Sequence, residues 1–470
     1  MKKILYTFIL LAGLSSCDDF LTEELKGDYN SSNILSNEVQ AEAAVNAVYN
    51  ASAYSVNLWK FGDIASDDAV KGGNAGDQAE IGYIDEFSVQ SDNGVIAEFW
   101  QNTYETISRA NNVIEGVKNI SMDAAKKERL VAEAKFLRAY SYFQLVNIFG
   151  KVPLKLYPQN SDKNIYVSLF SVEDIYKQIE KDLVDAQALP VTYPAKDAGR
   201  ATRGAAYGLL AKAQLYQGKY EEALASIRLL EDLHLYDLDE YGNLFKLGNE
   251  NSVETIFAIR FLSDQVPALG NPLNQWLAPS IEGGYYFDNP TQGWVDCFTE
   301  KQTNGEDDLR LDTSIGRDGK KWLNGDLFSA AWSSTGYLVK KHNQPLSEVE
   351  AGRKGDGGLA YIYLRYADIL LMKAECQNEL HHPELAESPL NAVRARAGLA
   401  AVSKKSENEM RSLIRNERRK ELAFEFHRFF DLMRWGKEVA EEALGENFKW
   451  QEPRYYFPLP QAELDANLEK

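Results

Sequence analysis

The sequence is poor in the residue types on which most catalytic and metal sites depend. It has three cysteines and five histidines among 470 residues. No His-Glu-x-x-His or Gly-x-Ser-x-Gly pattern occurs, and the Gly-rich run at 355–358 lacks the spacing of a dinucleotide-binding loop. The acidic segment that begins at Asp237 resembles the start of an EF-hand loop but lacks its fifth and twelfth ligands. We therefore predict no enzymatic activity, no cofactor and no metal site.

Positive charge is in deficit as well. The chain has 51 Lys and Arg residues against 70 Asp and Glu residues, which gives a net charge of −19. An acidic surface repels nucleic-acid phosphates and anionic lipid head groups. We therefore expect no nucleic-acid partner.

The first apolar run is too short to span a membrane. It covers residues 4–14, whereas a spanning helix needs about 20 apolar residues. The run follows Lys2 and Lys3 and leads to two serines, an arrangement typical of an export signal. Its ending, Leu14-Ser15-Ser16-Cys17, resembles a lipobox, in which the cysteine is acylated and becomes the first residue of the mature chain. Several acyl chains on Cys17 would anchor the protein to a membrane.

These patterns divide the chain into three parts. We predict a signal peptide over 1–16, an acylated polar tether over 17–37 and a folded body over 38–470. Loss of the two signal lysines leaves 49 basic and 70 acidic residues, so the mature net charge is −21. Cys297 and Cys376 lie in the body, and their spacing does not indicate a disulfide framework. Cys376 falls in an apolar helical run and is predicted to be buried.

The body is predicted to be dominated by helices. Small or apolar residues recur at steps of three and four from Leu130 to Ile148, and Gly150 and Pro153 end that helix. A second pattern resembles one tetratricopeptide repeat, a pair of antiparallel helices. The residues that carry this pattern are Tyr207, Leu210, Ala211, Gly218, Tyr220, Ala223 and Ile227. A looser helix pair is predicted over 366–397, so we expect a superhelical scaffold of tetratricopeptide-like pairs with long loop and short-strand insertions.

Residues 251–340 form the predicted insertion that binds ligand. This stretch begins with the strand-like segment TIFAIRF and then becomes rich in glycine, with four of the eight tryptophans. Tryptophan and tyrosine offer flat apolar faces to a sugar ring, and neighbouring amides and carboxylates can bind its hydroxyl groups. We predict that the ligand-binding residues are Trp276, Tyr285, Tyr286, Asp288, Asn289, Trp294 and Trp332. A second Gly-rich loop, 71–83, has similar residue types and is a further candidate for recognition, whereas Trp59, Trp100 and Trp435 are assigned to the core.

Several segments together resemble one family, the SusD/RagB-type nutrient-uptake lipoproteins of Bacteroidota. They are the lipobox with CDDFL, then LRAYSYFQLVNIFGKVPL, DDLRLDTSI, YIYLRYADILLMKAE, RNERRKELAFEFHRFFDLMRWG and YYFPLPQAEL. The resemblance implies a lipid-anchored protein of the outer membrane that faces the exterior. It further implies that the protein is the lid of a SusC-like TonB-dependent transporter and captures oligosaccharide or peptide. In the segment at 415–436, opposite charges also recur three residues apart. From this spacing we predict one core helix whose charged side chains form ion pairs along it.

Two other functions fit the same residues. A surface glycoside hydrolase needs only two carboxylates that flank a sugar bond, and an acidic chain supplies many candidate pairs. A tetratricopeptide-type adaptor that assembles envelope proteins would have no soluble ligand, and its aromatic residues would be buried. A binding protein, in contrast, would expose part of its aromatic residues and form no product.

Overall fold

The structure is a computed structural model that describes residues 35–159, 161, 163 and 167–468. The predicted signal peptide, Cys17 and most of the predicted tether lie outside the described residues. The first described helix begins at Glu38. None of the described helices combines the length and the apolar character that crossing a membrane requires.

Helices dominate the described chain, and the strands are short. The helices are α1 Glu38–Ala51, α2 Trp59–Gly62, α3 Ala79–Asp85, α4 Gly94–Gly116, α5 Ala124–Phe149, α6 Val172–Asp185, α7 Arg203–Leu215, α8 Tyr220–Glu231, α9 Leu273–Leu277, α10 Gln292–Val295, α11 Leu309–Ser314, α12 Tyr366–Glu379, α13 Pro383–Arg396, α14 Glu407–Glu421, α15 Arg428–Trp435, α16 Lys437–Leu444 and α17 Gln461–Leu468. The strands are β1 Ala69–Gly72, β2 Thr255–Ile259, β3 Phe287–Pro290, β4 Ile315–Gly316, β5 Leu338–Val339 and β6 Tyr361–Arg365.

Local sequence signals set the ends of the long helices. The side chain of Asp123 accepts a hydrogen bond from the backbone of Lys126 and caps α5, which ends at Gly150 with a φ of +72°. Ser406 and Glu409 form a reciprocal capping box at the start of α14. Each cap satisfies backbone groups that the helix itself leaves unpaired. The predicted end of α5 at Gly150 is confirmed.

The predicted tetratricopeptide-like unit consists of α7 and α8. Its small residues allow close packing, and Gly208 shows this most clearly. A Cβ atom at Gly208 would lie 2.6 Å from Leu364 and 3.2 Å from Leu230. Any larger residue there would push α7 away from both α8 and β6. The tetratricopeptide-like character predicted from the sequence is confirmed.

Successive helices pack side by side along the scaffold. Helix α4 packs on α5, α5 on α6, α6 on α7 and α7 on α8; α12 then packs on α8 and on α13 and α14. The second predicted pair, α12 and α13, is separated by only three residues. The helix-dominated superhelical architecture is therefore as predicted.

Three pairs of strands join the insertions to this scaffold. Strand β2 pairs antiparallel with β6 inside the core, where Tyr140 of α5 packs edge-on against Phe257 and Tyr363. Strand β1 pairs with β3, and β4 pairs with β5. Because β1 leads into the loop 71–83 and β3 lies in the insertion, the β1–β3 pair brings the two Gly-rich segments together.

The prediction of one helix over 415–436 is wrong. Helix α14 ends at Glu421, and α15 begins only at Arg428. Between them Phe424 and Phe426 have positive φ values of 56° and 70°, which a helix cannot contain. The backbone of Phe426 lies against α2, since a Cβ atom at Gly62 would be 2.2 Å from the Phe426 carbonyl oxygen. The helix break thus lets the aromatic residues fill the core beside α2.

The ion pairs of this segment are also different from those predicted. Most of them join distant elements instead of neighbouring turns of one helix. The central cation is Arg365 of β6, which contacts Glu254 at 2.7 Å, Glu421 at 2.6 Å and Glu425 at 2.7 Å. We call this group and its further members the Arg365 network; the further members are Asp308, Arg310, Lys341, Arg396 and Glu417.

Electrostatic attraction keeps these buried carboxylates ionised. Burial alone would raise the pKa of Glu425, but Arg365 and Lys341 outweigh burial and lower the pKa to about 2. Burial would also raise the pKa of Glu421, but Arg396, Arg365 and Arg310 together lower it. A buried charge without its partner is very costly, so each member of the network depends on the others.

This dependence gives a first prediction. Replacement of Arg365 by Met should lower the free energy of unfolding by about 3–5 kcal/mol, because it leaves Glu254, Glu421 and Glu425 buried and unpaired. Chemical denaturation monitored by circular dichroism would measure the change. The matched control is Lys177→Met, since Lys177 pairs with Glu173 on the open surface. The control should unfold like the wild type, and equal stability of both variants would contradict the role of the Arg365 network.

Candidate functional site

The predicted ligand residues do not all lie on one surface. Trp294, Asp288 and Asn289 are fully buried. The Trp294 ring packs edge-on against Phe298 and Phe424, and its Nε1 donates a hydrogen bond of 3.3 Å to the carbonyl oxygen of Arg419. The prediction that Trp294 stacks on a ligand is therefore corrected: it is a core residue that fastens α10 to α14.

Trp276, Tyr285 and Tyr286 remain at the surface, and we call them the aromatic surface. Tyr285 is 47% exposed, whereas Trp276 and Tyr286 are half-buried. The rings of Trp276 and Tyr285 meet edge to face with their centroids 5.6 Å apart. In this arrangement the exposed ring of Tyr285 lies next to the half-buried ring of Trp276. A sugar ring can place its apolar face against such a pair of rings.

The aromatic surface rests on a layer of fully buried rings. Trp276 contacts Phe287 at a centroid distance of 5.4 Å and Trp59 at 5.8 Å. The Lys60 ammonium lies 5.4 Å from the Trp276 ring centroid, a cation–π contact. Trp59 therefore belongs to the core, and its ring supports Trp276 from within. The sequence pattern did not single out Lys60, because nothing in a short helical segment indicates that its ammonium contacts a distant indole.

Trp332 belongs to a neighbouring cluster. Its ring packs against Trp322 and Phe328 with centroid distances of 6.5 and 5.1 Å. Tyr286 packs against the same cluster. Tyr286 thus connects the aromatic surface to Trp332, which is half-buried and keeps part of its ring accessible.

Buried polar contacts fix the backbone beneath these rings. Asn289 donates a hydrogen bond of 2.8 Å to the Tyr286 carbonyl oxygen and accepts two from Ser334. The Tyr286 hydroxyl donates to Asn74 at 2.6 Å, which joins it to the loop predicted over 71–83. Tyr286 has a φ of 45°, which is strained for a bulky residue and requires such support. Asn289 is therefore a positioning residue and does not itself contact ligand.

Ion pairs connect the β1–β3 pair to the segment at 415–436. Asp67 and Asp68, just before β1, pair with Arg419 of α14 and Arg428 of α15. The Arg419–Asp67 and Arg428–Asp67 distances are 2.7 and 2.8 Å. Because β1 pairs with β3, these contacts hold the whole β1–β3 pair against the scaffold.

Asp288 faces another buried carboxyl group, Asp63. Neither Asp288 oxygen has a hydrogen-bond donor among the described residues, and the same is true of Oδ2 of Asp63. Burial, reinforced by Asp68, raises the pKa values of both groups well above the ordinary value for aspartate. Two adjacent buried carboxyl groups without an ion-pair partner are costly to ionise together, so the raised pKa values favour a proton shared between them. The expectation that Asp288 binds ligand is corrected, since its oxygens are sealed inside the protein.

Other chemistry-bearing side chains are also sequestered. Burial lowers the pKa of His342 to about 4 and that of His427 to about 3, so both imidazoles are neutral near pH 7. Cys376 is buried as predicted, and Cys297 is partly buried; both are free thiols. Within the described residues, no group of three or more His, Cys, Asp or Glu side chains could hold a metal ion. In the described part of the chain, aromatic rings and amides are therefore more accessible to a ligand than these imidazoles and thiols.

Comparison with known proteins identifies the family to which this chain belongs. The SusD family model matches residues 253–469, and a model described as starch-binding associating with outer membrane matches residues 19–215. SusD-like protein P2 of Formosa agariphila is 28% identical over 99% of this chain and 98% of its own length. The chain belongs to the SusD family.

Solved structures agree with this assignment. A laminarin-binding SusD-like protein is 28% identical, covers 92% of this chain and 98% of its own, and superposes with a TM-score of 0.79. Surface glycan-binding protein A from Bacteroides thetaiotaomicron, in complex with laminarihexaose, is 22% identical with the same coverages and a TM-score of 0.77. The second likeness establishes a shared fold.

The Asp63–Asp288 pair predicts a dependence of stability on pH. Its carboxyl groups titrate near pH 3.9 when the chain is unfolded and at higher pH in the fold. The unfolded chain therefore binds fewer protons above about pH 4, and the wild type should lose stability as the pH rises from there. The variant Asp288→Asn should lose less, because its amide replaces the shared proton as a donor to Asp63. Denaturation at pH 5, 6, 7 and 8 would measure this difference.

The control for this experiment is Asp296→Asn, an exposed carboxylate on the same stretch of chain. Its pH profile should parallel that of the wild type. If Asp288→Asn also parallels the wild type from pH 5 to pH 8, the two buried carboxyl groups do not share a proton.

Proposed function

We propose that this protein is a surface lipoprotein of the outer membrane that binds oligosaccharide on the aromatic surface for uptake. The observation that carries the proposal is the Trp276–Tyr285 pair, which is exposed on one side and rigidly supported on the other. A sugar ring can stack on Tyr285 while its hydroxyl groups meet the polar loop that contains Asn74. Trp332 extends this surface beyond Tyr286.

The relatives support the chemical class of the ligand. The name of the relative with 28% identity and a TM-score of 0.79 says that it binds laminarin, and a protein of the same fold was solved with laminarihexaose. Laminarihexaose is therefore the first probe for this chain. A short peptide is the alternative ligand, since β-strand edges can pair with an extended backbone.

We further propose that the protein binds its ligand without cleaving it. A glycoside hydrolase needs a carboxylic acid with a raised pKa that reaches the sugar bond. Four of the carboxyl groups with raised pKa values are at most 2% exposed, namely those of Asp63, Asp68, Glu133 and Asp288. Burial also raises the pKa of the partly exposed Asp85 to about 6, but its Oδ2 accepts a hydrogen bond from the backbone N–H of Lys71. They act on the fold and not on a ligand.

The proposed partner is a SusC-like TonB-dependent transporter, for which this protein would form the lid. A stable contact of this kind buries more than about 2,000 Å² and uses a face much larger than the aromatic surface. Attachment through acylated Cys17 would hold the lid at the membrane, so that ligand capture and transport occur at one place.

Truncation of Tyr285 tests ligand binding. The variant Tyr285→Ala should bind laminarihexaose about five- to thirtyfold more weakly than the wild type, because truncation of a central aromatic contact costs about 1–2 kcal/mol. Isothermal titration calorimetry would measure the affinity. Phe170→Ala is a matched control, since Phe170 is an exposed ring on the connection between α5 and α6; its affinity should equal that of the wild type.

Three results would contradict the proposed function. Equal affinity of Tyr285→Ala and wild type would exclude the aromatic surface as the binding site. New reducing ends formed from the oligosaccharide would identify a hydrolase. Failure of the wild type to bind any member of a panel of neutral and acidic oligosaccharides, together with co-purification of other envelope proteins, would favour the adaptor.

Replacement of Cys17 tests the membrane anchor. The variant Cys17→Ala should lose incorporation of an alkyne-labelled fatty acid and should move from the membrane fraction to the soluble fraction after export. The reason is that Cys17 supplies the thiol and the mature amino terminus that are acylated. Cys297→Ala is the control and should remain labelled and membrane-bound. Unchanged labelling of Cys17→Ala would contradict the anchor.

A further inference from the structure

A second concave region lies apart from the aromatic surface. It consists of two adjoining cavities of about 630 and about 500 Å³, within the range of small-ligand sites. The C-terminal half of α1, the loop at 195–200 and strand β2 with the residues that follow it form its walls. The two cavities share the backbone at 198–200 and the side chain of Arg260, so we call them the Arg260 cleft. Neither cavity is lined by a member of the aromatic surface.

Arg260 is a partly buried cation that forms no ion pair within the described residues. Its Nη2 donates hydrogen bonds of 2.7 Å to the Glu250 carbonyl oxygen and of 2.7 Å to the Asn251 amide oxygen. Both acceptors are neutral, and Nε is buried without any acceptor among the described residues. Burial lowers the pKa of Arg260, and the Glu250 carboxylate, which also lines the cleft, offsets this effect only in part.

Arg200 in the same cleft provides an internal comparison. It contacts Glu133 at 2.9 Å and Asp197 at 3.2 Å, and these carboxylates together raise its pKa against the effect of burial. Arg200 is thus a structural ion-pair residue. The protein pairs one guanidinium of the cleft with acids and leaves the other with neutral oxygens, so an anionic group from outside would find its partner in Arg260.

The rest of the lining suits a hydroxyl-rich ligand. Amide and hydroxyl side chains are provided by Asn46, Asn50, Asn251, Thr192, Tyr193 and Thr255. Two of these groups, the Tyr193 hydroxyl and the Thr255 hydroxyl, are buried and have no hydrogen-bond partner in the described chain. A cleft with several unsatisfied polar atoms is less stable when empty than one whose polar atoms are paired. A ligand with many hydroxyl groups can supply those partners after a small local shift.

Backbone geometry keeps Arg260 in place. Gly199 has a φ of +96°, and a Cβ atom there would lie 2.9 Å from Cγ of Arg260. The absence of a side chain at Gly199 lets the aliphatic part of Arg260 pack directly on the loop. Lys196, on the same loop, is exposed and adds a second positive charge at the rim.

We propose that the Arg260 cleft is a second ligand site, which binds the anionic group of an acidic oligosaccharide. A carboxylate of a uronic acid and a sulfate ester share the required chemistry, because both accept charge-assisted hydrogen bonds from a guanidinium. The inference rests on the proposed function only in that the ligand is a glycan. The aromatic surface binds neutral ring faces, and the Arg260 cleft discriminates by charge.

The test compares neutral and acidic probes on the full folded body. The variant Arg260→Gln should bind hexagalacturonate or a sulfated carrageenan oligosaccharide at least about tenfold more weakly than the wild type, because a hydrogen bond to a charged group is lost. Its affinity for neutral laminarihexaose should not change. Comparison of the affinities for the two acidic probes shows whether the cleft prefers a carboxylate or a sulfate ester. Wild-type affinity for the preferred acidic probe should also fall as salt rises, and less so in the variant.

The matched control is Arg454→Gln. Arg454 likewise donates to neutral oxygens, those of Asn147, and its Nε is also buried without an acceptor, but it lies outside the cleft. This variant should bind both kinds of probe like the wild type. An equal loss of acidic-probe binding in Arg454→Gln would mean that net charge, and not the cleft, determines affinity, and would overturn the proposal.

Other outcomes also decide the matter. If the wild type binds neither acidic probe, or if Arg260→Gln binds them unchanged, the cleft is not an anion site.

If Tyr285→Ala abolishes binding of neutral and acidic probes alike, the acidic ligand uses the aromatic surface and the proposal fails while the proposed function stands. If Arg260→Gln loses acidic-probe binding while Tyr285→Ala keeps laminarihexaose binding, the cleft is supported and the aromatic surface is not. Arg260-dependent binding of triglutamate without binding of either acidic oligosaccharide would assign the cleft to peptides and overturn the glycan.

Discussion

The last turn of α14, residues 417–421, is the constraint on which the rest of the structure depends. Its side chains reach a different part of the molecule at almost every position. The partners are Arg310 and Arg394 for Glu417, Asp368 and Asp431 for Arg418, Asp67 and Asp68 for Arg419, Glu300 for Lys420, and Arg310, Arg365 and Arg396 for Glu421. One helical turn thereby joins the helix pairs, the β2–β6 pair, the insertion and the segment before β1.

The ion pairs of this helical turn fix the relative positions of the elements that they join more than they stabilise the fold. Removal of charges from water costs several kcal/mol for each ion, and well-packed apolar residues would often stabilise a core equally well. Apolar contacts, however, tolerate sliding, whereas a guanidinium between two carboxylates accepts few arrangements. The insertion and the β1 segment have little regular structure of their own, so contacts of fixed geometry determine where they lie. The aromatic surface is rigid because these ion pairs hold the elements that carry it.

Periodicity explains what the sequence could and could not predict. The helices α5, α7, α8, α12 and α13 were predictable, because their apolar spacing and end signals are local. Trp294, Asp288 and Asn289 were assigned to the ligand because irregular segments have no period that separates buried from exposed positions. The break after Glu421 was missed for a related reason: the charges of 415–436 are spaced like those of a helix, but their partners are distant in sequence. Arg260 was overlooked because an unpaired charge can be recognised only when its surroundings are known.

The burial of Asp288 and Asn289 also clarifies how a binding surface is built here. Asn289 holds the backbone of Tyr286 in a strained conformation, so the rings are fixed before a ligand arrives. Fixed rings lose little conformational entropy on binding, which favours affinity for flexible oligosaccharides. The chain is strongly acidic, with a net charge of −19, and its field opposes anions at distances up to about 8 Å at physiological salt. Recognition of an anionic group on such a body therefore requires a local cation that is not already held in an ion pair, and Arg260 meets that requirement within the described residues.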